Sequence, residues 1–302
     1  MSAPVDATGR VYDLGYRRYE GPREGRRRAV LCVYENGLRI ALGLGRGGRA
    51  KIVPWLLVSA SLIPAVVLAL VAGAVNRAAP GFDPTSDLPS YSGYYAIASI
   101  ILLIFSAVIG PELLCPDRRE GTINLYLVRP LSPTDYLVAR WSALVTVIVA
   151  AAWLPQIALL AGLVLGAADP GSYLGDHWLD IPRFLVAGAA IAVYYASLAL
   201  VVASNTTRRA YAAAFMVGLF VVSGAVVGSV VDVLSSGTAR WVALLDLPDV
   251  PLYVNDLVFG GKTTASTTAP EQLPAVVQVA WFLAVTALAA LVARHRYRRM
   301  SA

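Results

Sequence analysis

The chain has few residues of the types that do covalent or acid–base chemistry, and their spacing limits what they can do. His177 and His295 are its two histidines, far apart in the sequence, with no His-Glu-x-x-His run and no Ser/His/Asp order around them. Asp176, His177 and Asp180 bring ligand-type atoms close together, as a small metal site would. They sit in a short polar connection that reads better as a solvated loop, so no metal is expected. Gly43-x-Gly45-x-x-Gly48 matches the dinucleotide fingerprint by letter. That fingerprint works only between a strand and a helix, where the glycines let backbone approach a pyrophosphate. Here apolar helical patterns flank it, and it reads as a flexible break. Gly260-Gly261-Lys262-Thr263 copies the end of a P-loop, but Asp256 stands where the first glycine belongs. The chain is therefore expected to hydrolyse no nucleotide itself and to hold no cofactor.

One stretch is dense in charge without being catalytic in type. It runs Pro111-Glu112-Leu113-Leu114-Cys115-Pro116-Asp117-Arg118-Arg119-Glu120-Gly121-Thr122-Ile123-Asn124-Leu125-Tyr126-Leu127-Val128-Arg129-Pro130. Charged residues alternate with apolar ones at helical spacing around Ile123, Tyr126 and Leu127. The pattern predicts a short amphipathic helix with a charged tip, within a loop at 112–136. Such an element can transmit a push from a partner.

The elements that position this stretch are apolar. Six apolar runs, at about 52–75, 93–111, 137–166, 184–204, 210–234 and 273–293, each reach the roughly 20 residues that span a bilayer. Alternate connections collect the basic residues, with 21 Lys and Arg on one side and 4 on the other. The positive-inside rule puts the richer side, with both termini, in the cytoplasm. The pI of 9.4 thus reflects membrane orientation rather than nucleic-acid binding. About 51 residues precede the first run, too many for the n-region of a signal peptide. Cys32 and Cys115 both fall on the cytoplasmic side, where a disulfide is not expected.

The expected fold is all-α, a polytopic membrane protein with six transmembrane helices after a cytoplasmic interfacial helix. Residues 1–51 form the arm and that helix, 52–293 the membrane domain, and 294–302 a basic cytoplasmic tail. At 27–44, Leu31, Tyr34, Leu38, Ala41 and Leu42 share one face, opposite Arg28, Glu35, Asn36 and Arg39. Before it, Tyr12, Tyr16 and Tyr19 alternate with Arg17 and Arg18, in a stretch suited to ordering against a partner. Span 1 carries Pro54 and Pro64, and span 3 carries Pro155 and Gln156. Gly224 and Gly228 give span 5 a GxxxG spacing that allows close helix contact. The long outer connection at 235–272 alternates apolar clusters with Pro248 and Pro251, as short helices would. Tyr94, Tyr95, Tyr194, Tyr195 and Tyr211 read as interface-belt residues or as contacts for an amphipathic solute.

The middles of the spans lack Asp, Glu, Lys, Arg and His. Ion-coupled transporters keep an ionisable residue at mid-depth, so uphill transport here would draw its energy from another subunit. The stretch Asp117-Arg118-Arg119-Glu120-Gly121-Thr122, then Leu125, Leu127 and Arg129-Pro130, resembles the loop of the permease subunits of type-2 ABC exporters. Asp135-Tyr136-Leu137 with Arg140 is similar to the start of their span 3, and Tyr12 to Arg23 resembles the arm of one bacterial subgroup. The resemblance implies a dimer of six-span subunits, with a second copy or a related permease. It also implies two cytosolic ABC ATPase subunits, which bind ATP and Mg, in the cell membrane. Glu112, Asp117, Arg118, Arg119, Glu120, Gly121 and Thr122 would then couple to the ATPase. Tyr12, Tyr16, Arg17, Arg18 and Tyr19 would help dock it, and Gly224 and Gly228 would face the second permease. Membrane lipid and a transported substrate complete the expected partners, and the chain itself is no enzyme. An energy-independent channel, or a membrane anchor or sensor without transport, is the alternative reading.

Overall fold

Six long apolar helices form the body of the molecule, and a short amphipathic helix lies across one end. The structure is a computed structural model that describes residues 21, 25–45, 47–78, 91–123, 126, 131–167, 169–234, 236–260, 264–265 and 273–300. The arm residues Tyr12, Tyr16, Arg17, Arg18 and Tyr19 lie outside the described residues.

The amphipathic helix, α1 (Arg26–Ala41), buries Val33, Gly37 and Ala41. That stripe is rotated from the face read off the sequence, and Leu31 points outward at 48% exposure. The reason is Gly37, which carries no apolar weight on a helical wheel yet marks the closest approach. A methyl group added there would lie 2.7 Å from Ala143 Cβ. Two positive-φ glycines, Gly43 and Gly45, then break the chain before the first span, as the glycine run predicts.

The spans are α2 (Arg49–Ala78), α3 (Tyr91–Arg119), α4 (Pro133–Gly166), α6 (Asp180–Asn205), α7 (Arg209–Val231) and α10 (Ala275–Met300). All six are long and apolar enough to cross a membrane. Helix α3 overruns its expected end at 111 and continues through Pro111 and Pro116 to Arg119. Proline is tolerated in membrane helices where neighbouring groups re-satisfy the freed carbonyls. Helix α4 starts sharply. Ser132 and Asp135 form a capping box with Pro133 in the first turn, the combination that satisfies orphan N–H groups at a helix start.

The connections add short helices. One, α5 (Pro170–His177), was not expected, because its eight residues read as a solvated loop. Its cap is Asp169, which accepts from the Gly171 and Ser172 amides. The described residues of the connection between α7 and α10 form short helices, as predicted: α8 (Ser236–Val242), a 3-10 turn (Ala243–Leu245) and α9 (Val250–Phe259). Pro251 stands in the first turn of α9, where its missing N–H leaves no bond unmade.

Helices α3 and α6 sit at the centre and are buried over most of their length, whereas α2, α7 and α10 keep most of their surface outward. Helices α2 and α4 meet along a seam of small residues. A methyl group on Gly166 would lie 2.7 Å from the Gly73 Cα, and one on Gly162 would collide with Ala69. Without a hydrophobic drive between helices in lipid, such close backbone approach is a main source of packing energy.

Candidate functional site at the basic end

The basic ends of α1, α3, α4, α6, α7 and α10 converge, and the charge-dense stretch lies among them. Because α3 continues to Arg119, Glu112, Asp117, Arg118 and Arg119 stand on the end of span 2 and not in a separate loop helix. Each successive residue there is turned by about 100°, so neighbours in sequence meet different helices.

Asp117 turns toward α4. Its Oδ2 accepts hydrogen bonds from Tyr136 Oη at 2.6 Å and from Arg140 Nη2 at 2.6 Å. The Arg140 side chain is fully buried and that of Asp117 is 16% exposed. Arg140 also lies over the Tyr136 ring, 5.4 Å from its centroid. An arginine out of water is stable only with a matched anion, and Asp117 supplies it.

Arg118 turns toward α6. Its Nη1 donates to the carbonyls of Ala203 at 3.3 Å, Thr206 at 3.0 Å and Ser204. Helix α6 ends at Asn205, so these are among the carbonyls that have no intrahelical partner. Arg296, from the last turns of α10, donates Nε to the same Ser204 carbonyl at 2.7 Å. Two cations thus cap one helix C-terminus, where the macrodipole favours positive charge.

Other ties complete the end. Glu112 Oε1 accepts from Arg209 Nη1 at 2.6 Å, on the first residue of α7. Arg26, opening α1, grips Asp135 with Nε and Nη2 at 2.8 and 2.9 Å, the planar fork that suits a carboxylate. The Asp135 carboxylate raises the pKa of Arg26 above its ordinary value. Tyr297 is buried and stacks on Tyr136 with centroids 5.9 Å apart.

Beyond Asp117 and Arg118 the chain turns outward. Arg119 and Glu120 are exposed. Gly121 adopts φ 69°, a left-handed conformation that favours glycine. Thr122 Oγ1 turns back to the Asp117 carbonyl at 3.2 Å. Glu112, Arg119, Glu120 and Arg209 line an open groove of about 830 Å³. The seven residues singled out in the sequence therefore divide, with Glu112, Asp117 and Arg118 tied to other spans and Arg119 and Glu120 facing out.

The other sequence assignments fall elsewhere. Gly224 faces the outer helices of its own chain, where an added methyl group would sit 3.5 Å from Asp246 Oδ1. Gly228 opens on empty space. The small-residue contact within the chain is instead Ala69 and Gly73 against Gly162 and Gly166, the same four-residue spacing, legible but passed over. Tyr94, Tyr95, Tyr194 and Tyr195 are at most 1% exposed, so they are core residues and not a belt, while Tyr211 is 62% exposed. Tyr95 Oη donates to the Phe184 carbonyl, and Gln156 Nε2 to that of Tyr91. These bonds give the mid-span glutamine a place. At the opposite end, His177 stacks on Tyr173 and Asp180 pairs with Arg183. Among the described residues no group of three or more His, Cys, Asp or Glu is arranged to hold a metal.

Sequence reasoning missed Arg296 and Tyr297 as members of the site. The tail reads as a membrane anchor, and only the four-residue step from Ala293 to Tyr297, both buried, signals an inward face. Arg140 carried a stronger signal, a charge more than a turn inside an apolar helix.

A family model described as ABC-2 family transporter protein matches residues 62–302. The chain belongs to that family. It is thus a multi-pass ABC-2 transporter permease, and the resemblance read from the 117–122 stretch stands. The family match takes in five whole spans, most of α2 and the entire cluster around Asp117. It leaves the arm and α1 outside, although Arg26 binds into the ABC-2 domain through Asp135. Comparison with curated proteins gives no match.

Proposed function

We propose that this chain is the membrane subunit of an ATP-driven exporter whose ATP is hydrolysed on a separate cytosolic ABC subunit. The basic end faces the cytoplasm of the cell membrane, in keeping with the sequence, whose alternate connections assign 21 of the 25 Lys and Arg residues to that side. Two copies of the ATPase, with their ATP and Mg, dock at that end. The observation that carries the reading is the tip of α3. Arg119 and Glu120 are presented to solvent, while the two residues before them are hydrogen-bonded to α4 and α6. A displacement of the tip therefore moves three spans together. Arg119 and Glu120 contact the ATPase, Gly121 and Thr122 shape the turn, and Glu112, Asp117 and Arg118 pass the movement inward. The arm residues Tyr12, Tyr16, Arg17, Arg18 and Tyr19 add to the docking.

A second permease copy, or a related permease, covers the half of α7 away from the basic end, where Val221, Val222 and Val226 are exposed. Gly228, with open space before it, lets that helix approach closely, and Gly224 lies one turn away. ATP binding shifts the dimer between its two openings to the extent that the ATP-bound partner prefers one of them.

The test uses the chain with its ATPase in vesicles. Arg119→Ala and Glu120→Ala should each lower transport-coupled ATP hydrolysis, while stability changes by no more than about 0.5 kcal/mol, as for exposed sites generally. Unchanged hydrolysis in both variants would overturn the docking assignment. Downhill flux that persists without nucleotide would replace the exporter reading with a channel.

A further inference from the structure

The turn between α6 and α7 separates two surfaces of opposite character. On one side lies the charged groove of Glu112 and Arg119. On the other, Val201, Val202, Tyr211, Ala214, Phe215 and Leu219 border an almost wholly apolar groove of about 690 Å³, a size in the range of small-ligand sites. Buried Ala212 also lines it, while Tyr211 and Phe215 stand out at 62% exposure each.

Arg208, which lines the charged groove on the other side of the turn, reaches Tyr211 on the wall of this one. Arg208 lies over the Tyr211 ring, 5.4 Å from its centroid, with Nη1 3.5 Å from Tyr211 Oη. The contact fixes the guanidinium against one wall of the groove and leaves most of its donors unused. Its neighbour Arg209 is paired with Glu112. Among the described residues, no carboxylate pairs with Arg208. An unpaired guanidinium is built to bind a phosphate, and here it sits where an apolar trough in a membrane helix pair meets the basic side of the protein. A basic site between spans, next to a hydrocarbon-lined surface, is the chemistry that retains an anionic lipid headgroup.

We infer that the α6–α7 groove holds one anionic phospholipid of the leaflet on the basic side, its acyl chain along Val202, Ala214 and Phe215 and its phosphate on Arg208. Charge selects this occupant, because a zwitterionic headgroup carries a cation that Arg208 repels.

The test is lipid retention by the full chain. The purified protein is equilibrated with vesicles of equal phosphatidylglycerol and phosphatidylcholine, recovered, and its bound lipid counted by mass spectrometry. Intact protein should favour phosphatidylglycerol about fivefold, the preference one surface cation gives. Arg208→Ala should abolish that preference while still retaining lipid. Ala214→Phe, which fills the groove at an exposed position, should lower retention of both lipids. Equal retention of the two lipids by the intact protein, or variants indistinguishable from it, would overturn the site. So would efficient disulfide capture between two copies carrying Phe215→Cys, since a second chain would then occupy the groove.

Discussion

The two ends of the bundle are held by different chemistry. At the basic end the ties between helices are ionic, with Asp117 to Arg140, Asp135 to Arg26 and Glu112 to Arg209. At the opposite end they run chiefly from neutral donors to backbone carbonyls. Tyr195 Oη reaches the Pro248 carbonyl at 3.0 Å, Tyr253 Oη that of Ala243 at 3.1 Å, and Trp281 Nε1 that of Leu244 at 2.7 Å. Neutral bonds stabilise modestly and lose modestly when broken. A buried charge pair is less forgiving, because removing one member strands the other. The ionic end is therefore the one at which a small displacement has a large energetic consequence, which suits the coupling role proposed for it.

Breaking the strongest ionic tie is the largest perturbation. Arg140→Ala should destabilise the protein by about 3 to 5 kcal/mol, the range for a stranded buried charge. Thermal unfolding in detergent measures it, and a loss near 1 kcal/mol would show that Asp117 rehydrates through its partly open side. The α2–α4 seam comes next. Gly166→Leu forces side-chain atoms into the Gly73 backbone and should lower stability by about 1 to 3 kcal/mol, as overpacking does. The matching change at Gly228, which meets nothing within its own chain, should leave the monomer's stability nearly unchanged.

The neutral end should respond less. Tyr195→Phe removes one hydrogen bond to a carbonyl and should reduce stability by about 1 kcal/mol. The contrast sharpens with salt, because the Tyr195 loss should not vary with ionic strength.

The smallest effect concerns Asp256, an anionic tie at the neutral end. It accepts from the Thr264 amide at 3.0 Å, and burial raises its pKa above the ordinary 3.8 despite its hydrogen bonds. A raised carboxyl pKa means the folded state binds the proton more tightly than the unfolded one. Its stabilising contribution is complete below the ordinary value and is lost as pH rises through the folded value. Asp256→Asn should therefore gain stability relative to the parent as pH rises across that interval. Parallel melting curves of the two proteins that do not separate would contradict this.

The six spans were legible because each is a run of apolar residues longer than soluble helices need. The end of α3 was not. Pro111, Pro116 and four charges between 112 and 119 look locally like a loop, and what keeps them helical is distant in sequence. Arg118 is satisfied by carbonyls at 203–206, and Asp117 by Tyr136 and Arg140. Local pattern contains no record of those partners. The stripe on α1 failed for a related reason, since Gly37 matters through what it lacks. Arg119 and Glu120 stand out in the sequence by charge alone, and the structure adds that they are exposed, apart from their paired neighbours.

The seam of Ala69, Gly73, Gly162 and Gly166 has a practical consequence for watching this protein work. Helices joined with no side chains between them are held backbone to backbone, and α1 is fastened to α4 through Gly37 and Arg26. The three are expected to move as one body, so distance probes placed within it should stay silent through a full cycle. Labels intended to report motion belong in pairs that straddle its edge, one on α2 or α4 and the other on α7.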